Sequence, residues 1–217
     1  PLLAGASLKE RLITCLGAMI GIVLTIIVCA RFPRDIAALP LIVAPLGASA
    51  VLVFAVPSSP LAQPWPVIGG NVISTLIGVT VFKAVPDMMV AAGLAVGIAI
   101  LVMSFLRCLH PPGGAAALTA VIGSNDIHLA GYAFAFTPVA INSVTLVLVA
   151  VLFHRFGRHS YPHRPAAPVP LPPNGVQLQD IDAALEDMHE SFDISREDLE
   201  ALFSYTEFHA AGRRPAA

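Results

Sequence analysis

Long stretches without a charged residue alternate with short polar or proline- and glycine-rich breaks along this chain. Charges are absent over 12–30, 36–82, 88–106 and 129–153. A helix of about 20 predominantly apolar residues is long enough to cross the hydrocarbon core of a bilayer. The pattern therefore predicts several membrane-crossing helices.

Prolines and glycines within these stretches divide them into individual helices. A shorter segment at 109–123 begins with Pro111 and Pro112, and a helix of this length rises only about 22 Å, less than the roughly 30 Å of hydrocarbon. It is therefore either a tilted, partly broken spanning helix or a re-entrant half-helix. The other predicted spans lie near 12–30, 39–56, 67–83, 88–106 and 130–154.

The composition agrees with a membrane protein. The 217 residues are 56% hydrophobic and only 12% charged, with a mean hydropathy of +0.79. This is far more apolar than one soluble core requires. The first apolar run is also longer than the roughly 7–15 residues of a signal-peptide core, and no clear cleavage pattern follows it, so we expect it to remain as a membrane helix.

The sequence offers few residues for other kinds of chemistry. Cys15, Cys29 and Cys108 show no Cys-x-x-Cys spacing, which favours small packing residues over a disulfide framework or a metal site. Asp87 is the single carboxylate between residues 36 and 106, so no catalytic constellation is visible. We therefore expect no enzymatic activity, no metal, no cofactor and no nucleic-acid partner.

An internal repeat is the most informative feature of the sequence. "PLGASAVL" at 45–52 aligns with "PGGAAALT" at 112–119, and each block is followed by a helix that carries an asparagine, Asn71 or Asn142. If each block crosses the membrane, each half has three crossings and the halves are inverted relative to each other. If the blocks are re-entrant, the halves are parallel. We expect the two blocks to approach each other near the membrane midplane.

A helix that begins with Pro-x-Gly-Ala inside a membrane has a physical use. Its N-terminus offers unsatisfied N–H groups and partial positive charge, which favours an anion, and glycine lets a ligand approach the backbone. Irregular backbone at that depth is tolerated only where it is buried in protein or lines a wet cavity. The candidate binding residues are Pro45, Gly47, Ala48, Ser49, Asn71, Arg107, His110, Pro112, Gly113, Gly114, Ala115 and Asn142, with Ser74, Thr119 and Ser143 as further polar lining.

Each of these residues also has a purely structural interpretation. The glycines and alanines permit tight helix packing, and the two asparagines are suited to interhelical hydrogen bonds. Arg107 is able to extend to the membrane interface from the end of a helix. His110 is interpretable as a satisfied structural histidine.

Two motifs resemble the HPP family of integral membrane proteins, which is named for a triplet present here at 110–112. They are "HPPGGAAALTAVIG" and "APLGASAVLVFAVPSSPLAQPWPVIGGN", and the resemblance covers roughly 8–158. Some plastid and cyanobacterial members are associated with nitrite transport, so the resemblance implies a small inorganic anion, with nitrite as the leading candidate. Many bacterial members carry a pair of CBS domains after the membrane part. No CBS sequence follows here, so nucleotide regulation in cis is not expected.

The chain divides into a transmembrane HPP domain at 1–157, a proline-rich linker at 158–176 and an acidic amphipathic cytosolic tail at 177–217. Ten of the fourteen acidic residues lie between Asp180 and Glu207. Apolar residues recur at helical spacing in the tail, and Ser195 and Asp198 have the spacing of a capping box. Two short helices are predicted there, with a disordered acidic tail as the alternative.

The predicted fold is all-α: a polytopic membrane bundle of four full spans plus two shorter Pro-Gly-broken elements, with a cytosolic helical tail. Lys9, Arg11 and Arg155 flank the first and last spans, which places both termini in the cytoplasm of a bacterial inner membrane, although Arg31 and Arg34 oppose this orientation. We expect a homo-oligomer in the lipid bilayer that transports a small inorganic anion. The alternative function is a membrane anchor or sensor module coupled to a cytosolic partner.

Overall fold

The computed structural model describes residues 8–32, 39–157, 160–165, 176–188 and 192–211. Within these ranges every regular element is a helix and none is a strand, which confirms the predicted all-α class. The chain divides after Pro162 into two compact units. Arg34, Arg158 and the central part of the predicted linker lie outside the described residues.

The first unit contains long and short helices in an order that repeats. In the part of the chain that the structure describes, four helical segments are long and apolar enough to cross a membrane, and two apolar helices are shorter, as predicted. Many large apolar side chains on the long helices are exposed, as expected of a surface that faces lipid. The helices are α1 Leu8–Cys29, α2 Pro45–Ala55, α3 Pro64–Ala84, α4 Met88–Phe105, α5 Pro111–Ile122, α6 Asn125–Ala130 and α7 Ile141–His154, with a 3₁₀ turn at Pro60–Ala62 and a wide helical turn at Ala135–Ala140 leading into α7.

Two predicted helix starts differ from the structure, and proline accounts for the first. The span predicted near 39–56 is helical only from Pro45, because proline fits the first helical turn but not the helix interior, and residues 39–44 precede it without regular helix. The span predicted near 130–154 begins at Ala135. It is interrupted at Thr137, which has extended backbone angles directly before Pro138.

The end of α4 is fixed by a left-handed residue. Arg107 has a φ of +53°, and the N–H of Cys108 bonds back to the carbonyl of Met103 at 2.8 Å. A left-handed residue after the last turn, with this backward bond, is a common way to end a helix. The chain then turns back into the bundle and reaches His110, the residue before α5.

Contacts at both ends of neighbouring helices show their relative directions. A Cβ at Gly70 would lie 2.5 Å from His110 Cβ, and one at Gly78 would lie 2.3 Å from the Ala117 carbonyl, so α3 and α5 run parallel. Likewise Asn142, near the start of α7, bonds to the backbone just before α2, and His154, at the end of α7, bonds to the end of α2. Helices α2 and α7 are therefore parallel too.

The two halves of the unit are inverted relative to each other. Gly17 of α1 lies against Phe153 and Gly21 lies against Leu146, so α1 and α7 are antiparallel. α3 and α4 are antiparallel across a three-residue connection, 85–87, and the Trp65 indole bonds to the Leu106 carbonyl at the other end. Each half therefore passes across the bundle three times, and the second half starts from the opposite face. Of the two arrangements that the repeat allowed, the structure has the inverted one.

Each half contributes its third helix to the packing of the other half. α3 packs mainly on α4 and α5, whereas α7 packs mainly on α1 and also on α2 and α3. The short helices α2 and α5 also pack on each other, so the two Pro-Gly-Ala blocks meet inside the bundle as the repeat predicted. This exchange places residues of α2, α3 and α5 in one buried region.

The second unit contains the two predicted tail helices, α8 Leu178–Met188 and α9 Arg196–Ala211. The Asp198 N–H donates to the Ser195 hydroxyl at 3.1 Å, which caps α9 as its sequence predicted. An apolar cavity of about 630 Å³ lies between the helices and is lined by residues including Ile181, Leu185 and Phe203. Tyr161, inside the predicted linker, instead belongs to the first unit, where its hydroxyl donates to the Ala62 carbonyl at 2.8 Å.

Candidate functional site

Four polar side chains form a buried group where α2, α3 and the start of α5 meet. We call this group, Ser49, Asn71, Ser74 and His110, the polar cluster; none of its members is exposed to solvent. The Ser49 Oγ lies 2.8 Å from His110 Nε2, and the Asn71 amide donates to the same Oγ at 3.2 Å. The other ring nitrogen of His110, Nδ1, lies 2.8 Å from the Leu61 carbonyl oxygen.

Close backbone packing brings these side chains together. A Cβ at Gly113 would lie 2.8 Å from the Gly70 carbonyl and 2.9 Å from the Ser74 Oγ, so α3 and α5 approach each other where both have glycine. Asn71 and Ser74 lie on one face of α3 because residues three apart on a helix are neighbours. His110 reaches the same region because it immediately precedes α5.

Four buried polar atoms in the described part of the bundle have no hydrogen-bond partner: Arg11 Nε, Asn71 Oδ1, Ser74 Oγ and Ser143 Oγ. Buried polar groups are normally paired, because an unpaired one keeps the full cost of losing its water. Two of these four atoms, Asn71 Oδ1 and Ser74 Oγ, belong to the polar cluster. Unpaired groups inside an otherwise well-packed bundle are what a site for a polar ligand requires.

We predict that Ser74→Ala raises the free energy of unfolding in detergent by about 1 kcal/mol, because it removes a buried hydroxyl that has no partner. Thr75→Val is the matched control on the same helix, since the Thr75 hydroxyl donates to the Asn71 carbonyl at 2.7 Å. The control is expected to gain no stability. Thermal unfolding of purified protein measures both, and a loss of stability in Ser74→Ala would contradict the prediction.

Asn142, the repeat counterpart of Asn71, has a different environment. Its Oδ1 accepts from the Val43 N–H at 3.2 Å, and its Nδ2 donates to the Leu41 carbonyl at 3.0 Å. The amide thus hydrogen-bonds one N–H and one carbonyl of the non-helical segment before α2. Asn142 holds this segment in place, whereas Asn71 has an oxygen without a partner.

The helix N-termini have fewer free N–H groups than the sequence suggested. Pro111 and Pro112 have none, and the Gly113 N–H donates to the His110 carbonyl at 2.8 Å. At α2 the N–H groups of Leu46 and Gly47 donate to carbonyls three residues earlier, both at 3.0 Å. Side-chain donors of the polar cluster are therefore better placed than these backbone groups to hold a ligand.

Several predicted site residues point away from the polar cluster. Gly47, Ala48 and Ala115 are exposed, and Gly114 is half-buried, where a Cβ would be in ordinary van der Waals contact with Val96 at 3.8 Å. Arg107 is exposed beyond the end of α4. Of the twelve predicted residues, those buried at or beside the cluster are Pro45, Ser49, Asn71, His110, Pro112 and Gly113.

Sequence reasoning missed the Leu61 carbonyl, which accepts from the His110 ring. It belongs to the 3₁₀ turn between α2 and α3, and a backbone carbonyl in a connection has no sequence signature. The turn itself does have a sequence signature, because a serine before a proline is typical of a helix start. The Ser59 side chain accepts the Leu61 N–H at 3.1 Å and caps the turn.

The fold and the polar cluster are those of a polytopic helical membrane protein. Two of its crossings, the ones that contain α2 and α5, are interrupted: each begins with a non-helical segment and continues as a short helix. The chain belongs to the HPP family, because the family's transmembrane region matches residues 4–162. This confirms the family resemblance seen in the two motifs.

Two curated relatives, both described as transmembrane proteins of Dictyostelium discoideum, match the chain. One is 36% identical over 154 residues, which is 69% of this chain and 53% of the relative. The other is 40% identical over 121 residues, covering 54% of this chain and 39% of the relative. The chain thus spans about half the length of these relatives or less. No solved structure matches it.

Proposed function

We propose that this protein is a membrane transporter or channel for a small inorganic anion, with nitrite as the leading candidate. The observation that carries the proposal is the polar cluster, buried where two interrupted crossings meet. Interrupted helices of this kind form the substrate sites of transporters built from inverted repeats. Nitrite comes from the resemblance of the His-Pro-Pro motif to family members associated with nitrite transport.

The distribution of charge favours an anion over a cation. α2, α4 and α5 contain no charged residue, and α3 carries only Lys83, near its C-terminal end. The N-terminal ends of α2 and α5 add partial positive charge inside the bundle. The Ser74 hydroxyl has no partner, and the Asn71 amide has a second N–H besides the one that donates to Ser49, so both supply hydrogen-bond donors. An anion at the cluster therefore meets donors and no carboxylate from these helices.

We further propose that both termini lie in the cytoplasm, in a bacterial inner membrane. α1 begins and α7 ends at the same face of the bundle, and α4 ends there too. Basic residues are enriched at the cytoplasmic face of membrane proteins. This face carries Lys9, Arg11, Arg107 and Arg155, against Arg31 and Lys83 at the opposite face among the described residues.

A homo-oligomer is part of the same proposal. Gly93 and Gly97 of α4 and Gly47 of α2 face open space, with no atom within 4 Å of an added Cβ. Small residues on a membrane helix let a neighbouring helix approach closely. These exposed small faces support association between copies of the chain.

The second candidate is a membrane anchor or sensor module coupled to a cytosolic partner. The apolar cavity between α8 and α9 favours it, because an apolar surface of that size is suited to a partner's side chains. Anion flux separates the two candidates, since an anchor requires none.

Purified protein in liposomes tests the proposal, with uptake of nitrite, nitrate, formate and chloride measured in parallel. We expect protein-dependent uptake of at least one anion, with nitrite the fastest. Protein-free liposomes and liposomes with Asn71→Leu protein, shown by size-exclusion profile to be folded, serve as controls. Uptake equal to that of protein-free liposomes for all four anions would overturn transport and favour the anchor.

A further inference from the structure

His110 is the centre of a continuous chain of hydrogen bonds inside the bundle. Among the described residues, the partner of its Nδ1 is the Leu61 carbonyl oxygen at 2.8 Å, so Nδ1 carries a proton and donates. In the neutral ring Nε2 then accepts from the Ser49 hydroxyl, 2.8 Å away. The Asn71 amide donates to the same hydroxyl oxygen at 3.2 Å.

The same atoms also satisfy the ring when it carries a second proton. Nε2–H then donates to the Ser49 Oγ, and the hydroxyl hydrogen rotates to the Pro45 carbonyl, which lies 3.3 Å away. The Asn71 amide keeps its bond, because a hydroxyl oxygen accepts two hydrogen bonds. The ring is therefore able to gain and lose a proton without any heavy atom moving.

The described surroundings supply no fixed charge to balance a protonated ring. The elements packed on His110 are α2, the 3₁₀ turn and α3, and their only charged residue is Lys83, near the far end of α3. On its own segment Cys108 is a buried thiol and Arg107 is exposed. An unbalanced charge inside a membrane protein is costly, so a protonated ring requires a mobile anion beside it.

We propose that His110 binds the proton that is transported together with the anion, one proton for each monovalent anion. The proton enters from water at one membrane face, binds the Nε2 lone pair and is released to water at the other face. The bound anion at the polar cluster balances the imidazolium charge, so the loaded site is neutral overall. This inference rests on the proposed anion transport and adds the coupling ion to it.

The test measures proton and anion movement together in liposomes that contain a trapped pH dye. An inward nitrite gradient, without a pH gradient, is expected to acidify the interior of wild-type liposomes by one proton per anion taken up. Protein-free liposomes correct for diffusion of nitrous acid. Nitrate is a second probe, because its protonated form is negligible at neutral pH.

His110→Gln keeps hydrogen-bonding groups but binds no proton, so any remaining anion uptake is expected to lose its proton movement completely. His128→Gln is the matched control, since His128 also bonds a carbonyl, that of Val121 at 3.0 Å, but lies on α6 outside the cluster. It is expected to keep the wild-type ratio of protons to anions.

A further measurement on the wild type does not depend on whether His110→Gln folds. One proton per monovalent anion is electrically neutral, so anion uptake is expected not to change when valinomycin and potassium impose a membrane potential. Uptake that responds to the potential, or that occurs without acidification, would overturn proton coupling while leaving anion transport standing. No uptake of any anion by the wild type would overturn both proposals.

Discussion

Gly78→Val is expected to prevent the membrane unit from folding, or to destabilise it by at least about 3 kcal/mol. A Cβ at Gly78 would lie 2.3 Å from the Ala117 carbonyl oxygen and 2.9 Å from the Ala120 Cβ. The first of these is backbone of α5, which has no rotamer with which to move away. α3 and α5 would have to move apart. This would also separate the cluster residues on α3 from His110, which precedes α5.

Gly97→Val on α4 is the matched control, because no atom lies within 4 Å of a Cβ at Gly97. Both changes replace glycine by valine within a long apolar helix, so the change in helix propensity is nearly the same in the two variants. Expression level, size-exclusion profile and thermal unfolding in detergent compare the variants. Equal stability of the two would show that the close approach of α3 and α5 is not needed for the fold.

The helices and the repeat followed from the sequence because each has a local cause. A run of apolar residues long enough for a bilayer forms a helix wherever it lies in the chain, since backbone groups in lipid must bond within their own segment. Pro111 marked a helix start for the same local reason, whereas the span predicted near 39–56 began before Pro45, its actual start. The meeting of α2 and α5 followed from the matched blocks.

The directions of individual side chains did not follow from the blocks alone. In α2, Pro45, Leu46 and Ser49 are buried while Gly47 and Ala48 are exposed, as the helical period requires once one face is known. Which face turns inward depends on partner helices from the other half of the chain. Gly47 and Gly114 align in the repeat, and neither is buried in the cluster: Gly47 is exposed and Gly114 is half-buried.

The buried cluster arises from sequence differences between two otherwise similar halves. Ser49 aligns with Ala116 and His110 aligns with Val43 in the repeat, so polar residues from both halves collect on one side. On the other side, both polar atoms of the Asn142 side chain are hydrogen-bonded to backbone groups before α2. The two asparagines that the sequence treated as equivalent are therefore expected to have different roles.

Asn71→Leu is expected to abolish anion uptake while costing little stability. The substitution keeps a similar volume, removes a carbonyl oxygen that has no partner, and leaves the Ser49 hydroxyl able to bond His110. The site loses its amide donor and becomes more apolar, so a polar ligand is held less well.

Asn142→Leu is expected to show the opposite behaviour, with a loss of about 2–6 kcal/mol of stability, because it leaves the buried Val43 N–H and the partly buried Leu41 carbonyl without their partner. Thermal unfolding in detergent and nitrite uptake in liposomes, measured on both variants, give the comparison. If the folded Asn71→Leu protein transported nitrite at the wild-type rate, the unpaired amide would have no part in binding. If Asn142→Leu unfolded no earlier than the wild type, its two backbone bonds would not stabilise the segment before α2. Only loss of uptake in the first variant and loss of stability in the second assigns binding to Asn71 and structural support to Asn142.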